Sequence, residues 1–278
     1  MPELPEVQTI CDGLSAFVRH KTIASVLVRQ AALRWPVATD LGEKLSGQTV
    51  LCVERRAKYI LVSLTQDLTL ILHLGMSGRL LFYAKPELQK APGPHDHVVF
   101  HLEDGGLVVL SDPRRFSVVL LCATARCFQH PLLAKLGVEP LTEKLSPAWL
   151  GAALAKKRVP IKVALLDQRL VVGIGNIYAS ETLHRARILP DRPAHSLSLA
   201  EITRLCQSLR AVLKRALSHG GSTLRDYVQP TGERGGFQHL FQVYDRAEQP
   251  CFRRGCKGLV VRQVQAGRST FFCPVCQT

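Results

Sequence analysis

Hydrophobic and polar positions alternate in two different rhythms along the 278 residues. Between residues 5 and 20, apolar side chains recur at helical spacing and predict a short amphipathic helix. Short β-branched runs follow at Thr22–Arg29, Thr49–Arg55, Tyr59–Leu64, Leu68–Leu74, Val98–Leu102, Leu107–Ser111 and Ser117–Cys122. Gly, Pro, Asp and Asn separate many of them, as strand turns require. So many strands with so little helix between them predict a sandwich or barrel over residues 1–130. The rhythm then becomes helical. Ser146-Pro147 starts one helix, Leu165 and Leu166 lie in a further turn, Gly175-Asn176 opens a segment to Arg187, and Ser198 caps a helix from Leu199 to about His219. Gly220-Gly221-Ser222 and Pro230–Gly236 read as a glycine-rich loop, and the tail from about Pro250 as a small cysteine module.

Charge divides the chain in the same way. Residues 1–150 hold 16 basic and 14 acidic side chains, and residues 151–278 hold 20 and 8, within a total of +14. A basic half joined to a near-neutral half fits a polyanion partner, nucleic acid first, although a basic soluble surface gives the same count. No apolar run reaches the ~18 residues of a membrane span. The start, MPELPEV, lacks the basic-then-apolar order of a secretory signal, which leads to the expectation of a cytoplasmic protein.

Five of the nine cysteines are scattered; four form the run Cys251-x4-Cys256-x16-Cys273-x2-Cys276. Two close pairs separated by a strand–turn–strand can present four thiolates tetrahedrally, which predicts one structural Zn2+. So short a tail would draw its folding energy from the metal. Between the pairs, Val260–Val264 and Ser269–Phe272 read as strands joined by Ala266-Gly267-Arg268. Cys122-x4-Cys127 has no second pair, and His95-Asp96-His97 no third ligand.

Other features admit two readings each. Removal of Met1 would leave Pro2 as a terminal secondary amine beside Glu3. Such an amine is far more often unprotonated at neutral pH than lysine and can attack a sugar carbon; the same residues also make an ordinary helix start. Gly173-Ile174-Gly175-Asn176 suits either a phosphate or a helix cap. Asp112-Pro113-Arg114-Arg115-Phe116 could enter a duplex, or form a charged hairpin tip.

Taken together, the segments Pro2-Glu3-Leu4-Pro5-Glu6-Val7, Arg55–Tyr59, His73–Gly78, His95–Val98, Asp112–Phe116, Gly173–Glu181, Gly220–Tyr227 and the terminal cysteines resemble the formamidopyrimidine-DNA glycosylase family of base-excision repair enzymes. The resemblance runs the length of the chain. It implies an α+β multidomain fold: an N-terminal helix with a two-layered β-sandwich, a helix–two-turns–helix domain and a C-terminal β-hairpin zinc finger. DNA would lie in the cleft between them. The boundaries so implied are 1–130, 131–225, a lesion-loop and linker region at 226–243, and a finger at 244–278.

The same resemblance implies the roles. Pro2 would be the nucleophile forming a Schiff base with deoxyribose C1′, and Glu3 the general acid/base. Lys58 would be the acid of β-elimination, and Arg268 would serve δ-elimination and phosphate contact. His95, Arg114, Lys157, Asn176 and Tyr244 match DNA-contacting positions. Met76, Arg114 and Phe116 match residues that fill the void left by a flipped base. The implied activity is that of a monomeric glycosylase and AP lyase on double-stranded DNA containing oxidised purines. Three departures stand out: the x4 first cysteine pair where many relatives have x2, Ser117 in place of a glycine, and Val99 where an acidic residue is common. Two alternatives stay open. The endonuclease VIII type prefers oxidised pyrimidines, but typically has a glycine where this chain has Leu4. A DNA-binding module without chemistry would not need Pro2, Glu3 and Lys58.

Overall fold

The computed structural model describes residues 2–85, 92–222 and 235–278. Helix α1 spans Leu4–Val18. Its buried stripe (Leu4, Val7, Ile10, Cys11, Leu14, Val18) follows the three- and four-residue steps of a helix face. Its start is over-determined. Glu3 caps it, Pro5 lies in the first turn where a missing N–H costs nothing, and Glu6 completes a capping box by accepting the Glu3 N–H at 2.9 Å.

Eight strands make two four-stranded antiparallel sheets. One has the order β1 (Ile23–Val28), β6 (Asp96–Leu102), β7 (Leu107–Ser111), β5 (Arg79–Tyr83). The other has the order β2 (Val50–Arg56), β3 (Tyr59–Leu64), β4 (Leu68–His73), β8 (Val118–Ala123). Leu14 and Val18 of α1 join Ile60, Val62, Leu70 and Leu72 from one sheet and Val98, Phe100, Val108 and Leu110 from the other in one core. Truncating a buried leucine here, such as Leu72, to Ala would cost about 2–5 kcal/mol. Strand β5 is absent from the sequence expectation, and β6 starts two residues earlier than expected. A short helix α2 (Leu41–Leu45) packs against β1. Val99 belongs to a smaller cluster with Leu107 and Val109, so an apolar residue there is explained by packing.

The remainder is helical: α3 (Pro147–Leu154), α4 (Ile161–Leu166), α5 (Asn176–Ala186) and α6 (Leu199–Leu217), followed by the hairpin β9 (Val261–Gln265) and β10 (Arg268–Phe272). Ser146 caps α3 by accepting the Trp149 N–H at 3.1 Å, and Ser198 caps α6 in a capping box with Glu201. Ala266 and Gly267 both have positive φ, and Arg268 pairs with Gln265. The tight turn is therefore Ala266-Gly267, and Arg268 begins the strand instead of lying in the turn.

The described residues up to Ala134, with Gly220–Ser222 and Gly235, form one compact unit, and Lys135–His219 with Gly236–Thr278 a second. Most of the glycine-rich loop expected around 220–236 lies outside the described residues. No described helix is long and apolar enough to cross a membrane.

Candidate nucleic-acid interface and metal centre

In the first unit, strand register gathers the candidates at one end of the sandwich. Tyr59 pairs with His73, and His73 with Val118. The β2–β3 turn carrying Lys58, the β4–β5 loop carrying Met76 and the β7–β8 loop carrying Arg114 and Phe116 thus leave the same end of one sheet. Arg79 and Asp96 both pair with Ser111, which brings the exposed His95 to the matching end of the other sheet. Gln8, just over one turn into α1, accepts from Arg55 Nε at 2.9 Å, so the Pro2–Glu3 end of the helix belongs to this end as well.

Pro2 and Glu3 are buried. Glu6 is also buried and accepts Ser222 N–H at 2.7 Å and its hydroxyl at 3.0 Å. A Cβ on Gly221 would lie 2.7 Å from Glu6 Oε1, and its φ is +76°; only glycine lets this segment close on α1. Lys58 is 6% exposed, a long cation held at a hairpin tip beside Ala57 at φ 56°. The next row holds His73, whose ring lies 4.8 Å from that of Tyr59 and whose Nδ1 accepts the Gly75 N–H at 3.0 Å. Burial, then the positive charges of Lys58 and Arg34, hold the His73 pKa down at about 4, so the ring is neutral at physiological pH.

Asp112 organises the two loops that carry Met76 and Phe116. It is fully buried, and it accepts from the Ser77 hydroxyl at 2.6 Å, the Ser117 hydroxyl at 2.7 Å, and the N–H groups of Ser117 and Arg114 at 2.8 and 3.2 Å. Its carbonyl accepts from His97 Nε2 at 2.7 Å. Burial pushes this carboxyl up, but the hydrogen bonds from Ser77, Ser117 and Arg114 outweigh it and set the pKa below the ordinary value. Ser117, the residue in the glycine position, thus fills a bonding role. A Cβ on Gly75 would lie 2.6 Å from the Phe116 backbone, so the loops touch through their main chains. Met76 and Phe116 nevertheless stay 43% and 40% exposed, and the Arg114 guanidinium lies 4.6 Å over the Phe116 ring. Exposed apolar side chains flanking a cation, on loops tied together by a buried carboxylate, make a preformed wedge.

In the second unit, Gln168 braces the turn before α5: its Oε1 accepts Gly173 N–H at 2.8 Å and its Nε2 donates to Ile174 O at 2.9 Å. Asn176, the first helical residue, donates to Ser269 O at 2.7 Å and contacts the Tyr244 hydroxyl at 3.4 Å. Lys162 is fully buried and donates to the same Ser269 carbonyl at 3.0 Å and to Thr270 Oγ1 at 2.7 Å. The exposed Arg268 adjoins this junction. Lys157 is partly exposed and 3.6 Å from Asp167. Glu181 is buried and accepts the N–H groups of Gln242, Val243 and Tyr244 at 2.9–3.1 Å, fixing the chain around Tyr244. Sequence reasoning placed Glu181 inside a motif without giving it a role. Asp112 and Lys162 were missed likewise, since only the fold shows that they are buried.

The sulfurs of Cys251, Cys256, Cys273 and Cys276 all lie within 4.8 Å of one another. Cys251 and Cys276 are 3.8 Å apart and Cys256 and Cys273 3.6 Å. Zn–S bonds of ~2.3 Å at tetrahedral angles give S···S edges of ~3.8 Å, so the cluster fits such an ion. Among the described residues it is the one group of three or more ligands close enough for a metal; Cys122, Cys127 and His95-Asp96-His97 form none.

The formamidopyrimidine-DNA glycosylase N-terminal domain profile matches residues 1–119, and the H2TH domain profile of the same enzyme matches residues 136–228. A formamidopyrimidine-DNA glycosylase of Cereibacter sphaeroides is 49% identical over the whole of both chains. The chain belongs to the formamidopyrimidine-DNA glycosylase family. Another family member, from Phenylobacterium zucineum, is 46% identical, again over both full lengths. Among solved structures, the MutM (Fpg) protein of Thermus thermophilus superposes with a TM-score of 0.87 at 41% identity, covering 99% of this chain and 98% of that one. A Lactococcus lactis Fpg mutant in complex with Fapy-dG-containing DNA superposes with a TM-score of 0.92 at 33% identity, covering all of both. This member of the glycosylase family therefore has the α+β architecture expected from its sequence, with H2TH helices and a C-terminal hairpin beside a four-cysteine cluster.

Proposed function

We propose that this glycosylase excises oxidised purines, 8-oxoguanine and formamidopyrimidines, from duplex DNA and then nicks the abasic site by β,δ-elimination. The observation that carries the proposal is the buried Pro2-Glu3 pair heading α1, at the end of the sandwich where Lys58 and the preformed wedge also emerge. The likeness to a protein solved with Fapy-dG DNA supports the substrate class.

With Met1 removed, the Pro2 nitrogen lone pair attacks C1′, and the damaged base leaves with the glycosidic electron pair and a proton. The C1′–O4′ bond then opens, O4′ keeping its electron pair and taking a proton from Glu3, and the nitrogen lone pair closes the iminium that acidifies C2′. Loss of a C2′ proton expels the 3′ phosphate, and a second elimination expels the 5′ phosphate. Glu3 is the general acid/base, Lys58 the acid of β-elimination, and Arg268 attracts phosphate during δ-elimination. Met76 and Phe116 fill the gap left by the flipped base, and Arg114 reads the orphaned partner. Arginine offers donors only, which suits cytosine O2 and N3 better than the N6 donor of adenine. His95, Lys157, Asn176 and Tyr244 hold the DNA backbone. The four cysteines would hold one Zn2+, which would fix the fold of the finger when bound.

Borohydride reduction on a duplex containing 8-oxoguanine tests the proposal. Wild-type protein should be trapped covalently on DNA, while Pro2→Gly or a blocked amino terminus should lose the adduct. Full trapping with a blocked terminus would reject the mechanism.

A further inference from the structure

The first cysteine pair is wider than in many relatives, and the extra length meets a histidine that the glycosylase chemistry does not use. His184 is buried near the end of α5. Its Nε2 lies 3.4 Å from Cys251 Sγ and 3.8 Å from Cys276 Sγ, one sulfur from each pair. Arg253, inside the x4 loop, reaches back: its Nη2 donates to the His184 carbonyl at 2.5 Å. The Arg253 Nε is buried with no hydrogen-bond partner among the described residues. Helix and loop thus hold each other from both sides.

The chemistry of four thiolates gives these contacts a purpose. Four thiolates around one divalent cation leave a net charge of minus two in a partly buried place, which is costly unless donors disperse it. A ligated sulfur offers only lone pairs in this direction, so the ring nitrogen facing it is the donor. We propose that His184 is a positioning residue of the zinc centre: its Nε2–H donates to the Cys251 sulfur, and with Arg253 clasping its carbonyl it seats the widened first cysteine loop on α5 and slows loss of the metal. The inference rests on the reading of the four cysteines as a zinc site.

The test uses the zinc-loaded full-length protein and follows metal transfer to a chromophoric chelator, 4-(2-pyridylazo)resorcinol. His184→Phe keeps ring volume without a donor, and His184→Gln restores an N–H near the Nε2 position. The Phe variant should lose zinc roughly 10–100-fold faster than wild type, the range for lost second-layer hydrogen bonds, with the Gln variant close to wild type. With Co2+ in place of zinc, the sulfur-to-metal charge-transfer band should move to lower energy in His184→Phe and return in His184→Gln. Release by the Phe variant within about twofold of wild type would overturn the proposal, since that lies below any second-layer effect. So would equal release from both variants with an unmoved band, which would leave His184 a packing role alone. Absence of stoichiometric zinc in wild-type protein would overturn the metal reading itself, and is measured before any substitution is made.

Discussion

Replacing Asp112 by Asn changes one atom at the junction of the two wedge loops, and the outcome can be worked from four distances. The carboxylate accepts the Ser77 hydroxyl and Arg114 N–H on Oδ1, and the Ser117 hydroxyl and N–H on Oδ2. Asparagine keeps one oxygen and turns the other into a donor. The serine hydroxyls can rotate to accept, but a backbone N–H cannot, so the amide will face its NH2 toward Arg114, whose bond at 3.2 Å is the weakest to lose. One stranded N–H and the lost charge assistance of two hydroxyl bonds amount to about 1–3 kcal/mol. The two tryptophans lie one in each unit, Trp35 and Trp149. In a Trp149→Phe background, Trp35 fluorescence in a urea titration therefore reports the first unit. The pH dependence gives a second check. A carboxyl whose folded pKa is depressed contributes stability that is present above its unfolded pKa of ~3.9 and is lost as pH falls through the folded value. The gap between wild type and Asp112→Asn should thus hold steady from pH 8 to 5 and shrink below about pH 4. Equal stability at pH 7, or a gap that persists unchanged at pH 3, would refute the clamp.

Ser117→Gly should cost about 1 kcal/mol, the worth of one hydroxyl bond, again read by Trp35 fluorescence. Because His73 is held at about 4, below its unfolded value, it contributes stability that declines as pH falls from ~6.5 toward 4; His73→Gln should flatten the pH–stability curve across that window. Lys162→Met should weaken binding to an abasic-site duplex while zinc content, measured by elemental analysis, stays stoichiometric. Arg114→Ala should narrow the preference for 8-oxoguanine opposite cytosine over adenine under single-turnover conditions; equal wild-type cleavage of both would remove Arg114 as the reader.

Elements whose signal is local were legible in the sequence. Tyr59–Leu64 and Leu107–Ser111 are strands with the predicted limits, because each is an apolar β-branched run between turn residues. Ser146 and Ser198 cap helices as expected. What escaped depends on partners far along the chain. Strand β5 is five residues beside a loop, and it exists by pairing with β7 across about thirty residues, a separation no short-window pattern reports. Asp112 read as a turn residue, and only the fold shows it enclosed by Ser77 from another loop. His184 drew no reading of its own within the helical segment to Arg187, since the cysteines it meets come 67 and 92 residues later. The four metal-binding candidates, by contrast, were legible because their chemistry is written in spacing alone.

The convergence of Lys162 and Asn176 on Ser269 has an experimental side. Both side chains address a backbone carbonyl, and among the described residues the Ser269 hydroxyl meets only Arg262, at 3.1 Å on the exposed face. An alanine scan of the hairpin would pass over position 269 as unimportant, because alanine presents the same carbonyl. Thr270 Oγ1 also accepts from Lys162, so Thr270→Ala would touch the attachment, but the share carried by the Ser269 carbonyl is invisible to side-chain mutagenesis of the hairpin. It shows itself only through its donors, or by an amide-to-ester exchange after residue 269 that weakens the acceptor and leaves every side chain intact.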